Sequence, residues 1–196
     1  MAAPVGIDRT AVVDAAIVVL EQEGRVSGVA LRPVAERLGI RVQSLYAHVD
    51  SVDDLRRALA LRGLDALAAV LTDAALGRSG ADALAAIVRA YWTFAVDHPG
   101  LFDATLSPPG DDPELVAAMA AVTRPLLRVF ESAGITGDDA VHWYRIVFSS
   151  IYGFATMRRD GRVTLGVDPD ATIDRMIEMF VTQLGLVPAP TIGARR

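Results

Sequence analysis

Apolar residues recur at helical spacing along most of the chain. Val12, Ala15, Ala16, Val19 and Leu20 share one face of a segment that Asp8 can cap and Gly24 can close, which predicts a helix over about 9–23. A short helix is predicted over 31–38, with Pro33 in its first turn, where the missing N–H costs nothing, and Gly39 at its end. Another short helix covers 42–49, and Asp50 or Ser51 caps a long one over about 52–76. The later punctuation predicts helices over about 80–98, 101–106, 113–133, 138–158 and 169–184, stopped or started by Pro99-Gly100, Pro108-Pro109-Gly110, Pro113, Gly134, Gly161 and Pro169. Within the last two long helices, Phe148, Ile151, Tyr152 and Ala155 form one apolar stripe, and Met176, Ile177, Phe180, Val181 and Leu184 form another. No alternating segment of strand length and no internal repeat is present in this pattern. The expected fold is all-α, with about nine helices.

Composition narrows the function classes. With 196 residues, 52% hydrophobic and 22% charged, the chain is long enough for a packed core and too apolar for disorder. The absence of cysteine removes disulfide scaffolds, zinc–cysteine sites and thiol nucleophiles. No apolar run reaches the roughly 18 residues of a membrane span. Residues 1–14 show no basic stretch followed by an apolar core, so no signal peptide is expected and the cytoplasm is the expected location. The formal charge is −5, but it is uneven. Residues 1–62 carry eight arginines and eight acids, whereas 63–196 carry eleven arginines and sixteen acids. The N-terminal third is therefore not repelled by a polyanion.

The two short helices around Gly39-Ile40-Arg41 have the spacing of a helix-turn-helix. Val34, Ala35, Leu38, Ile40, Leu45 and Val49 would bury the inner face, leaving Arg41, Gln43, Ser44, Ala47 and His48 outside. That outward set suits a major groove. Arg41 fits guanine or a phosphate, and Gln43 offers both a donor and an acceptor to adenine. Ser44, Tyr46 and His48 are candidate phosphate contacts. Two short helices joined at a glycine can also simply pack together, so spacing alone leaves that alternative open. Val34-Ala35, Leu38-Gly39-Ile40, Leu45-Tyr46-x-His48-Val49 and Asp53-Asp54-Leu55, in this order near the N-terminus, resemble the DNA-binding domain of the TetR family of transcriptional regulators. The resemblance implies a helix-turn-helix domain over 1–52, a ligand-binding and dimerisation domain over 53–187 and a flexible tail over 188–196. Arg32 and Arg56 complete the set expected against DNA. Four positions depart from the family pattern. Arg41 replaces a serine or threonine, Ala30 a threonine, Val49 a phenylalanine and Val52 a lysine that usually meets the DNA backbone. The last change leaves that cationic contact to Arg56 and Arg9.

Tyr91-Trp92-x-Phe94-Ala95-x-x-His98-Pro99-Gly100-Leu101-Phe102 and Phe148-x-x-Ile151-Tyr152-Gly153-Phe154 are similar to the C-terminal domain of a subgroup of that family. This likeness implies a homodimer in which Phe148, Ile151, Tyr152, Met176 and Phe180 meet their copies in a four-helix bundle, with Gly153 allowing a close approach. The same stripes can face the monomer's own core, and part of each must. The likeness also implies a ligand cavity among the middle helices. Trp92, Phe102, Leu106, Met119, Trp143 and Val147 are its expected lining, with Tyr91, His98 or His142 as polar handles, for a mainly apolar small-molecule effector. The implied partners are double-stranded operator DNA, read as a pseudo-palindrome by two half-site helices, and a second copy of the chain. Repression is the commoner behaviour in the family.

No enzymatic constellation appears. His48, His98 and His142 match no metal-ligand spacing, and no GxSxG, Walker, GxGxxG or HExxH motif is present. Asp111-Asp112-Glu114 and Asp138-Asp139 stand at helix starts, where capping and the helix dipole account for them. No catalytic residue, metal or cofactor is expected. A helical ligand- or partner-binding protein whose DNA reader has decayed is the competing reading, kept open by Ala30 and Val52.

Overall fold

The computed structural model describes residues 6–186, so the expected tail at 188–196 lies outside the described residues. Among them the chain forms α-helices joined by turns, with no strand. They are α1 (Arg9–Glu23), α2 (Leu31–Leu38), α3 (Val42–Leu45), α4 (Val52–Ala75), α5 (Gly80–Asp97), α6 (Pro99–Ala104), α7 (Pro113–Ser132), α8 (Gly137–Arg159) and α9 (Pro169–Gln183). The all-α expectation is met, and most boundaries fall within two residues of those read from punctuation. Two contact units are resolved. One holds the residues up to Asp65 together with His98–Ala118, and the other holds Ala66–Asp97 together with residues from Met119 onward. The expected domain junction at 52/53 coincides with the start of α4, whereas this division falls inside α4 and inside α7.

In the first unit, Asp8 caps α1 by accepting the Ala11 N–H at 2.7 Å, and Gly24 closes it at φ +68°. Val12, Ala16, Val19 and Leu20 of α1 meet Val29, Val34, Ala35, Leu45, Val49, Leu55 and Leu59 in one buried cluster. Gly39 adopts φ +67° and lets the chain turn sharply, with the Ile40 N–H returning to the Ala35 carbonyl at 3.1 Å. Alpha6 lies against α1 in this unit. Glu21 of α1 accepts the Gly100 and Leu101 N–H groups at 2.9 and 3.0 Å, so an α1 carboxylate caps α6. The expected stop at Pro99-Gly100 is therefore also a start: Pro99 occupies the first turn of α6, where a missing N–H is harmless.

The second unit packs α5 against α8 and α9. Leu84, Ile87, Val88, Tyr91, Val147, Ile151, Ile173, Ile177 and Phe180 are buried there. Tyr91 meets the Phe148 ring edge-on at 5.1 Å, and Phe148 in turn lies 4.6 Å from Tyr144. Trp92 stacks on Phe154 at 5.2 Å, carries the Arg158 guanidinium over its ring at 5.1 Å, and donates its indole N–H to Asp170 at 2.6 Å. Burial pushes the Tyr91 phenol well above its ordinary value, which keeps it neutral. Alpha8 starts at Gly137, so Asp138 and Asp139 lie in its first turn, and Thr136, not either acid, stands at the cap position. No helix of the described residues is long and apolar enough to cross a membrane.

Candidate nucleic-acid interface and ligand cleft

Regular helix in α3 lasts a single turn, shorter than the 42–49 predicted. Residues 46–48 continue as turns, with His48 and Val49 both donating to the Leu45 carbonyl, at 2.8 and 3.0 Å. The cause is anchoring at both ends of a short segment. Leu45 and Val49 are buried, and the guanidinium of Arg9 takes the His48 carbonyl at 2.8 Å while forking onto Asp54 at 2.7 and 2.8 Å. Asp54 also accepts the Asp50 N–H at 3.1 Å. The Arg9 hydrogen bonds hold the Asp54 carboxyl below its ordinary value and raise the arginine's own. Ser51 then caps α4 by accepting the Asp54 N–H at 3.0 Å.

This frame leaves a polar face outward. Arg41, Gln43 and Ser44 are exposed, and Tyr46 is 56% exposed. Among the described residues their side chains make no hydrogen bond or ion pair. His48 is half-buried. Arg32 is exposed but paired with Glu36 at 2.8 Å, one helical turn away. Arg56 and Arg9, the two arginines expected to replace the cation missing at Val52, are both engaged within the protein. Arg56 donates to the Ser27 and Val29 carbonyls at 2.9 and 3.1 Å and pairs with Asp53 at 3.2 Å, and its Nε is buried without a partner among the described residues. Val52 thus leaves Arg56 tying the loop before α2 to α4. Sequence spacing gave no sign of this, because the acceptors are backbone atoms some 27 residues away.

The six expected pocket residues are divided between the two units. Phe102 and Leu106 belong to the first, and Trp92, Met119, Trp143 and Val147 to the second. Trp92, Phe102 and Val147 are buried; Leu106, Met119 and Trp143 are half-buried. Trp92 lines a depression of about 380 Å³ with Arg89, Asp97, Arg158, Asp170 and Asp174. A larger cleft of about 670 Å³ lies wholly in the second unit, between the C-terminal part of α4, the α4–α5 connection and α7. Its wall includes Ala69, Leu76, Ala121, Pro125 and Val129 with Thr72, Asp73, Arg78, Arg124 and Arg128, and none of the six expected residues. Arg124 and Arg128, four apart on a predicted helix, were the only advance signal of this wall.

Of the expected dimer residues, Ile151 and Phe180 are 1% exposed and belong to the core of their unit. Phe148 and Met176 are half-buried, and Tyr152 is 38% exposed. Alpha8 also exposes Val141, Ile146 and Met157, and α9 exposes Met179.

Comparison with known proteins agrees with this arrangement. Residues 84–180 match the family model of the Tetracyclin repressor-like, C-terminal domain. An uncharacterized HTH-type transcriptional regulator of Mycobacterium tuberculosis, Rv0681, is 34% identical over 179 residues, covering 90% of this chain and 81% of that protein. A protein with unknown function from Rhodococcus sp. RHA1 superposes with a TM-score of 0.79 at 26% identity, over 93% of this chain and 97% of that one. A bacterial regulatory protein in the tetR family from Rhodococcus RHA1 shares the fold, with a TM-score of 0.70 at 19% identity over 93% of this chain and all 100% of the other. The chain belongs to the TetR family of HTH-type transcriptional regulators.

Proposed function

We propose that the protein is a repressor that binds a pseudo-palindromic operator as a homodimer and changes its DNA affinity when a small molecule occupies the C-terminal unit. The observation that carries this reading is the outward face of α3. Arg41, Gln43, Ser44 and Tyr46 are exposed and unengaged, on a segment pinned underneath by Leu45 and Val49 and fastened at its end by Arg9. A residual helix whose function had been lost would need no such fastening. Arg41 and Gln43 then read base edges, while Ser44, Tyr46 and the edge of His48 set the register on phosphates. Arg32 joins them by exchanging Glu36 for a phosphate. Arg56 acts by holding the loop before α2.

One such segment reads a half-site, so two copies are needed, spaced by the helical repeat of about 34–36 Å. A ligand shifts DNA affinity only through its differential affinity for two arrangements of that dimer. The test starts from a genomic pull-down with purified protein, followed by titration of the enriched duplex at two salt concentrations. The expected result is a short pseudo-palindrome bound tightly, with affinity falling steeply as salt rises. Arg41→Glu should abolish that binding and leave the thermal melt and oligomeric state unchanged. Weak, sequence-indifferent binding by the unaltered protein, or unchanged affinity and salt slope in Arg41→Glu, would overturn the reading.

A further inference from the structure

Arg124 and Arg128 stand four residues apart on α7, so they rise from successive turns of one face. Both line the 670 Å³ cleft, and Arg78 joins them from the α4–α5 connection. Among the described residues neither Arg124 nor Arg128 has an ion pair or hydrogen bond. Arg78 gives one N–H to the Ala74 carbonyl at 2.8 Å, which leaves most of its donors unused. Asp73 is the acid of the lining, so three guanidinium groups face one carboxylate. This positive wall lies in the part of the chain where acids outnumber arginines, sixteen to eleven over 63–196. Three other arginines of the unit are committed: Arg89 pairs with Asp174 at 2.9 Å, Arg159 with Asp160 at 3.0 Å, and Arg158 lies over Trp92.

The rest of the cleft is mainly apolar, with Ala69, Leu76, Ala121, Pro125 and Val129 in its wall, and Thr72, Ser79 and Ser132 also line it. Its volume is within the range of drug-sized ligand sites, about 300–1,000 Å³. Guanidinium groups bind carboxylates in a planar fork and are weakly hydrated, so they fit a site that combines an anionic head with an apolar body.

We propose that this cleft binds an amphipathic organic acid, its carboxylate held by Arg124 and Arg128 and its hydrocarbon body lying between α4 and α7. The proposal rests on the effector reading above and gives the effector a chemical class, in which the mainly apolar ligand carries an acidic head. Decanoate and 1-naphthoate serve as probes with chain and ring bodies, and decanol as the neutral counterpart of the first. Calorimetric titration of the full chain should show at least one acid binding about tenfold or more tightly than decanol. The Arg124→Gln/Arg128→Gln protein should lose that preference while keeping the operator affinity of the unliganded protein. Ala121→Phe, which fills the cleft, should weaken acid and alcohol alike. The preferred acid reports whether a chain or a ring is the natural body, and either supports the site. Equal binding of acid and alcohol, no binding of either acid, or an unchanged dissociation constant in the double glutamine variant would overturn it. Operator titration by fluorescence anisotropy separates the two readings. Arginine-dependent acid binding that leaves operator affinity unaltered supports the cleft and sinks its role as the effector site.

Discussion

Arg57 shows how much one side chain can hold. Its guanidinium forks onto Asp112, with one arm at 3.0 Å, and also reaches Glu114, joining α4 to the start of α7 within the first unit. Asp112 further accepts the Glu114 and Leu115 N–H groups at 3.0 and 3.3 Å as the cap of α7. The Arg57 hydrogen bond, helped by those backbone donors, holds the Asp112 carboxyl at about 2, against an ordinary 3.8. A carboxylate lowered on folding contributes stability that is fully present above its ordinary value and is lost as pH falls through the folded one. Arg57→Gln should therefore be less stable near neutral pH, and its stability should fall less steeply than the wild type's between about pH 4 and pH 2. Denaturant midpoints across that range check this, and parallel acid limbs for the two proteins would contradict it. The sequence marked Asp112 as a helix-start acid, which it is. It did not show Arg57, because that partner lies 55 residues earlier and no periodicity links the two.

At the scale of elements, glycine does opposite things in two helices. Gly100 opens α6, where an added Cβ would stand 2.5 Å from the Leu20 carbonyl oxygen and 2.9 Å from the Glu21 Cα. Both are backbone atoms of α1 and cannot swing away. Gly153, in the middle of α8, has nothing within 4 Å of the same added atom. Gly100→Ala should cost about 1–3 kcal/mol by forcing α6 off α1. Gly153→Ala should leave the fold of the subunit intact or stabilise it by up to about 1 kcal/mol, because alanine is the better helix former. Urea unfolding of the two variants compares them directly, and an unperturbed Gly100→Ala protein would refute the close α1–α6 contact. The punctuation Pro99-Gly100 located this joint in the chain. That the joint is a contact with α1, sealed by Glu21, depends on a residue 79 positions away. Helix starts such as Asp8 and ends such as Gly39 were legible because capping is local, acting within three or four residues.

For the whole molecule, the proposed homodimer concerns the outer face of α8. Val141 and Tyr152 are eleven residues apart, as are Ile146 and Met157, so each pair lies along one line of the helix about three turns long. The two lines stand about 140° apart around α8, because five residues separate Val141 from Ile146, so they are two exposed flanks, and a second subunit would cover the one that carries Ile146 and Met157. Ile146→Glu should shift the protein to monomer in sedimentation velocity and weaken operator binding, with circular dichroism unchanged. A dimer of unaltered stability in that variant would remove α8 from the interface. The buried members of the same stripes, Ile151 and Phe180, serve the subunit's own core, and their substitution would test folding rather than association. The sequence by itself determined the helical fold, the order and limits of nearly all its helices, and the outward positions Arg41, Gln43, Ser44 and Ala47. These follow from the 3.6-residue period and from capping, both short-range in the chain. His48, expected outside with them, is half-buried, and Tyr46 is exposed. Only the tertiary structure decided that Arg9 and Arg56 are engaged within the protein, that α6 is capped by α1, and that Arg78 joins Arg124 and Arg128 around one cleft. Each of these brings together groups distant in sequence, and a hydrophobic pattern records which face of a helix is buried without recording what it is buried against.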